Sequence, residues 1–318
     1  MTVSSNSNRR EFLETAATGI AVTQISAAFL GTAYAQSTKP VIKKGSVSTS
    51  DGVRLSYLEA GSGKPLVLIP GWSQTAEQFK FQLEGLSERY RVIAFDMRGH
   101  GDSDKPLFGY RIQRLAKDVA DVLKALDLKD VTILGHSMGC SILWCYFDLY
   151  GAERISKFVF CDEPALLTSN PAWSPEELQN AGAVFPPEAV TGTANALAGP
   201  DGIATTEGFV RGMVTKAMPA ETLKWTIQCN LKMPRKLAAE LIYNHAHQDW
   251  RDVFPRINVP SLFIAGRVSL IPWKSVAWAA GQTKGSQFEI FEESEGGQHF
   301  MFVENPTKFN AIVAKFIG

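Results

Sequence analysis

The chain has 318 residues, 45% of them apolar and 20% charged, enough for one large domain or a core with an inserted subdomain. Its 32 basic residues balance its 32 Asp and Glu, which gives no electrostatic ground for a nucleic-acid or anionic-membrane partner. The four cysteines, Cys140, Cys145, Cys161 and Cys229, form no C-x-x-C pair and read as buried free thiols, not as a zinc site or a disulfide framework.

Residues 1–35 read as an export signal. Arg9-Arg10 precedes Phe12-Leu13, a mildly apolar stretch follows, and Ala33-Tyr34-Ala35 offers an A-x-A cleavage site before Gln36. Thr15, Thr18, Thr23, Gln24 and Ser26 interrupt that stretch, so it suits a cleaved twin-arginine-type signal better than a membrane anchor. The expected mature protein is therefore exported, periplasmic or secreted, with no stable membrane association.

Next comes a hairpin, with Val47–Ser50 and Val53–Leu58 turning at Asp51-Gly52. Pro65–Ile69 is a wholly apolar run suited to a strand buried on both faces. Gln74–Tyr90 reads as a helix, Arg91–Phe95 as a strand, and Arg111–Leu128 as a helix with one apolar face. Val131–Leu134 is a β-branched strand. It runs into Gly135-His136-Ser137-Met138-Gly139 and then a helix to about Tyr150. Lys157–Cys161 is the next strand. The alternation stops after Glu163 and resumes at the strand Pro260–Ala265, a helix from Trp273, the strand Phe288–Phe291 and a helix from Pro306. Such alternation predicts an α/β fold with a mostly parallel central sheet and helices on both faces. The expected core is 36–163 plus 255–318. Residues 164–254, with Trp173, Trp225 and Trp250, are expected to form a helical cap over the strand tips, where ligands of parallel sheets bind.

Strand, G-x-S-x-G, helix is the context of an exposed nucleophile. The turn pushes Ser137 out at the strand tip, and the glycines let neighbouring backbone pass. A serine hydroxyl needs a base within hydrogen-bond reach. Of the five histidines, His136 must point away from the serine side and His100 could only edge the site. His245 and His247 lie two apart in the cap and do not share a helix face. His299, in the glycine-rich loop Glu295–Phe300 after the last strand, is the best-placed base. The oxyanion needs fixed N–H donors, and Met138 and Trp72 of the Pro70-Gly71-Trp72 loop are the candidates.

Taken together, Ile69-Pro70-Gly71-Trp72, Asp96–Ser103, the Ser137 elbow and Gly297-Gln298-His299-Phe300 resemble the α/β-hydrolase fold superfamily over about residues 45–318. The resemblance implies no metal and no organic cofactor, and a small-molecule substrate as partner. Esterases, lactonases, cofactor-free haloperoxidases and C–C hydrolases of the superfamily share these motifs. Its dehalogenases and epoxide hydrolases use Asp at the nucleophile position, against which Ser137 argues.

One position departs from the pattern. Many relatives carry the acid of the triad in the loop that here reads Gly266–Pro272. Ser269 stands where that acid is expected, and no Asp or Glu occurs between Val253 and Phe288. The acid is therefore expected after the preceding strand, as in dehalogenases and some lactonases of the superfamily. Asp162 is the choice and Glu163 the alternative; Glu163 should face away if the segment stays extended. The expected function is a serine hydrolase acting on an uncharged, apolar carboxylic ester or lactone through an acyl-enzyme. The alternatives are a cofactor-free haloperoxidase or perhydrolase, and a non-catalytic ligand-binding member of the fold.

Overall fold

Hydrophobic strands flanked by amphipathic helices must stack in layers, and they do so in the computed structural model, which describes residues 39–318. The signal read at 1–35 lies outside the described residues. Eight strands form one sheet: β1 (Lys43–Ser48), β2 (Arg54–Ala60), β3 (Pro65–Ile69), β4 (Arg91–Phe95), β5 (Val131–His136), β6 (Ile155–Cys161), β7 (Ser261–Gly266) and β8 (Gln287–Phe291). Their order is β1-β2-β4-β3-β5-β6-β7-β8. The β1–β2 and β2–β4 pairings are antiparallel, and every pairing from β4 to β8 is parallel. β6 is thus the direct neighbour of β5, which brings the chain after Cys161 alongside the Ser137 turn.

Side chains alternate faces along each strand. Val67, Ile69, Ile133, Phe158 and Phe263 pack on one side, together with α2 (Ile112–Ala125), α3 (Met138–Tyr150) and α9 (Trp273–Gln282). Leu66, Leu68, Leu134, Val159 and Ile264 pack on the other, against α1 (Lys80–Leu86), α10 (Met301–Glu304) and α11 (Pro306–Ile317). Between β6 and β7 lie α4 (Pro175–Ala181), α5 (Pro187–Ala198), α6 (Gly202–Gly212), α7 (Ala220–Asn230) and α8 (Arg235–Ala246).

The helix read over Gln74–Tyr90 is shorter than expected. A single 3-10 turn, Ala76–Phe79, leads into α1. Ser73 has φ +61°, and the Gln74 amide oxygen accepts the Gly71 N–H at 2.8 Å, so these residues belong to the loop after β3. Trp225 ties the insertion to the core, Trp173 and Trp250 pack within it, and none of the three lines the cavity beside Ser137. Trp225 Nε1 donates to Glu77 Oε1 at 2.9 Å, Trp173 lies under the Arg251 guanidinium, and the backbone N–H of Trp250 donates to Ala165 O.

The loop after β4 is braced by buried charge. Asp96 accepts the N–H groups of Ala76 and Asp102. The Arg98 guanidinium, fully buried, grips fully buried Asp118 through Nε at 2.6 Å and Nη2 at 2.7 Å, and reaches Asp51 at 3.0 Å. Removing one partner leaves a buried charge unpaired, a loss of about 3–5 kcal/mol in such pairs. Asp118→Ala should lower the unfolding free energy by that amount, read as a urea midpoint lowered by the loss divided by an unchanged m value. A shift worth less than about 1 kcal/mol would mean that Asp51, 3.0 Å from Arg98, balances the guanidinium without it.

Candidate active site

The site forms where five strand ends converge. At the tip of β5, Ser137 adopts φ +52° and ψ −131°, a strained conformation costing on the order of 1–3 kcal/mol. The surroundings hold it there. Its N–H donates to Cys161 O at 2.8 Å, and its carbonyl accepts the Cys140 N–H at 2.7 Å. Gly139 has no alternative in this turn, because a Cβ there would come 2.5 Å from Ile69 O. The four cysteines are all free and buried, and the Cys140 Sγ–H donates to Gly135 O.

The loop after β3 lies against the serine. A Cβ on Gly71 would meet Ser137 Cβ at 2.8 Å, so glycine permits this approach. The Trp72 indole N–H donates to Ala238 O in α8 at 2.8 Å and so ties the loop to the cap. The backbone N–H groups of Trp72 and of Met138, the first residue of α3, donate to no acceptor among the described residues. They remain available to a ligand oxygen.

His100 does not edge the cavity. It is buried behind the loop, its Nδ1–H donates to Arg98 O at 2.9 Å, and its Nε2 accepts the Ser73 N–H at 3.1 Å. Burial pushes its pKa down to about 4, which keeps Nε2 an acceptor at neutral pH. His136, also buried, points away from the serine. Its Nε2 donates to the backbone oxygen of His299 at 2.8 Å, and its Nδ1 lies 2.9 Å from Gln74 Oε1. Burial and the adjacent His299 push its pKa well down. The elbow histidine is thereby bonded to the loop after β8 and packed against Gln74 of the loop after β3. Sequence reasoning assigned neither His136 nor Gln74 this bracing role; the only signal was that a polar ring inside the elbow needs buried partners.

His299 lines the same cavity as Ser137. Its Nδ1 lies 2.7 Å from Asp162 Oδ2, with both side chains buried. Asp162 has φ +58°, so the chain turns directly after β6. Its N–H donates to Ile264 O, its Oδ1 accepts the Gly266 N–H at 3.1 Å, and its Oδ2 also accepts the Ser269 hydroxyl at 2.5 Å. Ser269, where sequence comparison expected an acid, is thus a hydrogen-bond donor to the carboxylate supplied by the neighbouring strand.

Glu163 does not pair with His299, but neither does it face away from the site. The turn at Asp162 breaks the strand alternation and swings Glu163 into the cavity wall. There its Oε1 lies 3.0 Å from His245 Nε2 and 3.3 Å from Ser141 Oγ. His245 was unassigned in the sequence, while His247 lies exposed with its Nδ1 on Tyr243 O. The cavity measures about 400 Å³, and its walls are largely apolar, with Trp72, Leu167, Phe185, Phe209, Ile242 and Ile271 prominent.

A profile of the alpha/beta hydrolase fold matches residues 64–306. A non-heme chloroperoxidase of Kitasatospora aureofaciens is 37% identical over 139 residues, 42% of this chain; the chain spans only 50% of that protein's length. A putative non-heme chloroperoxidase of Synechocystis is 29% identical over 275 residues, covering 83% of this chain and 95% of that protein. Among solved structures, an esterase from Exiguobacterium antarcticum superposes with a TM-score of 0.78 at 26% identity, covering 86% of this chain and 99% of that one. With its parallel sheet, its Ser137 elbow and a profile match over most of its length, the chain belongs to the alpha/beta hydrolase fold family.

Proposed function

We propose that this hydrolase-fold protein is a serine hydrolase that cleaves an uncharged, apolar carboxylic ester or lactone through an acyl-enzyme. One observation carries the reading: Ser137, held at φ +52°, shares a largely apolar cavity with His299, whose Nδ1 lies 2.7 Å from buried Asp162. With Nδ1–H donated to Asp162, His299 Nε2 has a lone pair for the Ser137 proton. Ser137 Oγ bonds to the carbonyl carbon, and the new oxyanion takes the N–H groups of Trp72 and Met138. Collapse breaks the ester C–O bond, and the leaving alkoxide takes the proton from His299. Water, deprotonated by His299, then releases the acid and regenerates Ser137. No step calls for a metal or an organic cofactor.

The names of the relatives favour a second reading, in which hydrogen peroxide replaces water on the same acyl-enzyme and yields a peracid. A panel of uncharged esters and lactones, run with and without peroxide, tests both. Hydrolysis without peroxide at kcat/KM above about 10⁴ M⁻¹s⁻¹ supports the first. Peracid formation that outpaces hydrolysis at equal water and peroxide activity favours the second. Stoichiometric labelling by a fluorophosphonate with no turnover of any compound would leave only a ligand-binding role.

We also propose export through a twin-arginine route, on the strength of Arg9-Arg10 and Ala33-Tyr34-Ala35. Mass spectrometry of the exported protein should find its N-terminus near Gln36, and Arg9→Lys with Arg10→Lys should hold the uncleaved precursor in the cytoplasm. An exported form that still begins near Met1 would contradict this.

A further inference from the structure

We infer that Arg235, in the first turn of α8, is a positioning residue that holds the loop bearing the Trp72 N–H in place from the inserted helices. The inference rests on the reading of Ser137 and the Trp72 N–H as hydrolytic machinery, and it adds what sets that N–H in position. Trp72 lies between Gly71 and Ser73 in the loop after β3. Ser73 is fully buried and has φ +61°, which a non-glycine residue keeps only where its surroundings impose it. It is gripped from two sides. From the core, His100 Nε2 accepts its N–H at 3.1 Å. From the insertion, Arg235 Nη2 donates to its Oγ at 2.8 Å, and that hydroxyl donates to Asn230 O at 2.7 Å. The same guanidinium reaches three further points. Nη1 donates to Thr206 Oγ1 of α6 at 2.7 Å, Nη2 to Asn230 O at the end of α7 at 2.7 Å, and Nε to Met233 O at 3.0 Å. Trp72 is held by the same helices. Its indole N–H goes to Ala238 O, about one turn along α8 from Arg235, and Phe209 of α6 meets its ring edge-on with centroids 6.2 Å apart.

Packing between α7 and α8 does not call for a guanidinium here. Among the described residues no carboxylate pairs with Arg235, and burial pushes its pKa down to about 10. It is also the first residue of α8, where a cation meets the positive end of the helix dipole. What a guanidinium offers against these costs is a rigid planar fork that serves several acceptors at once. Here the acceptors belong to α6, to the end and exit of α7, and to the loop after β3. Only the last of these contacts leaves the insertion, and it falls on the residue that follows Trp72. A shift of Ser73 therefore moves Trp72 and its N–H, and such a donor works only within hydrogen-bond reach of the oxyanion. Arg235 itself stands behind the cavity wall, so it acts through Ser73 and not on the substrate.

The test is a double-mutant cycle on kcat for the best ester. Arg235→Met removes the fork. Ser73→Ala removes only its grip on the loop and leaves its bonds to Thr206, Asn230 and Met233, so it carries the test alone should Arg235→Met not fold. Each substitution should lower kcat by at least about tenfold, part of what a whole oxyanion donor is worth, with KM changed by less than about threefold. The double variant should be no slower than the slower single one, because both cut one connection. The pH midpoint of kcat/KM, set by the His299–Asp162 pair, should stay where the parent has it. A trifluoromethyl ketone takes Ser137 Oγ onto its carbonyl carbon, leaves the proton on His299 and places an oxyanion in the site. Its affinity should fall by at least about tenfold, and that of the matching secondary alcohol by less than about threefold. Hydrogen exchange reads the loop without chemistry. In Ser73→Ala the amides of Gly71–Thr75 should exchange at least about tenfold faster, while α6 and α8 keep the parent's rates. A parent that neither turns over esters nor prefers the ketone to the alcohol would end the serine-hydrolase reading, and exchange alone would then decide the positioning. A loss of kcat below about tenfold in Ser73→Ala, losses that multiply in the double variant, equal losses for ketone and alcohol, or loop exchange at the parent's rate would each overturn the role of Arg235.

Discussion

Ser137→Ala is expected to lower kcat for the best ester substrate by at least ~10³–10⁴-fold, the scale of losing a triad member. The loss should fall on kcat more than on KM, because the hydroxyl forms its bond only as the transition state is reached while the cavity still holds the substrate. The variant should fold. The substitution removes one oxygen, whereas the backbone bonds that fix the turn, from Ser137 N–H to Cys161 O and from Cys140 N–H to Ser137 O, involve no side chain. Unfolding by denaturant should therefore be nearly unchanged. Turnover within about tenfold of the parent would end the assignment of the nucleophile.

Asp162→Asn should cost ~10²–10⁴ in kcat, while Glu163→Gln costs less than about tenfold. The two residues are adjacent and both buried, and their partners separate them. Asp162 Oδ2 receives His299 Nδ1–H at 2.7 Å and the Ser269 hydroxyl, and Oδ1 receives the Gly266 N–H. A carboxylate so placed fixes the tautomer in which Nε2 is free, and it stabilises the imidazolium that forms during attack. An amide can offer its N–H₂ to Nδ1 and so favour the wrong tautomer. Glu163 meets His245 and Ser141, not His299. If Glu163→Gln were the crippled variant and Asp162→Asn were not, the acid would be Glu163; if neither were impaired, it would not lie on this strand.

Much of this arrangement is legible in the sequence, because local patterns decide it. Alternation of apolar runs with one-sided helices gives the layered sheet, and G-x-S-x-G between a strand and a helix gives the turn at Ser137. Asp162 follows from the missing carboxylate between Val253 and Phe288 together with the adjacency of β6 and β5. What escapes the sequence is set by contacts between distant segments. The period of α8 identifies its buried face but not that His245 meets Glu163 across the β6 tip. Nor does it show that Ala238 receives the Trp72 indole. The positive φ of Asp162 also defeats the strand rule that would turn Glu163 away, because the strand has already ended. Ser269 is visible as a departure from the family pattern, yet its role as donor to Asp162 depends on β6 and β7 lying side by side.

The central claim is that the acyl group passes through Ser137, and rapid-quench peptide mass spectrometry tests it most directly. During steady-state turnover of an activated ester, the peptide bearing Ser137 should carry the acyl mass. That adduct should form and decay at rates no slower than kcat, and it should be missing in Ser137→Ala. Turnover with no adduct on that peptide, or a kinetically competent adduct on another residue, would contradict the account.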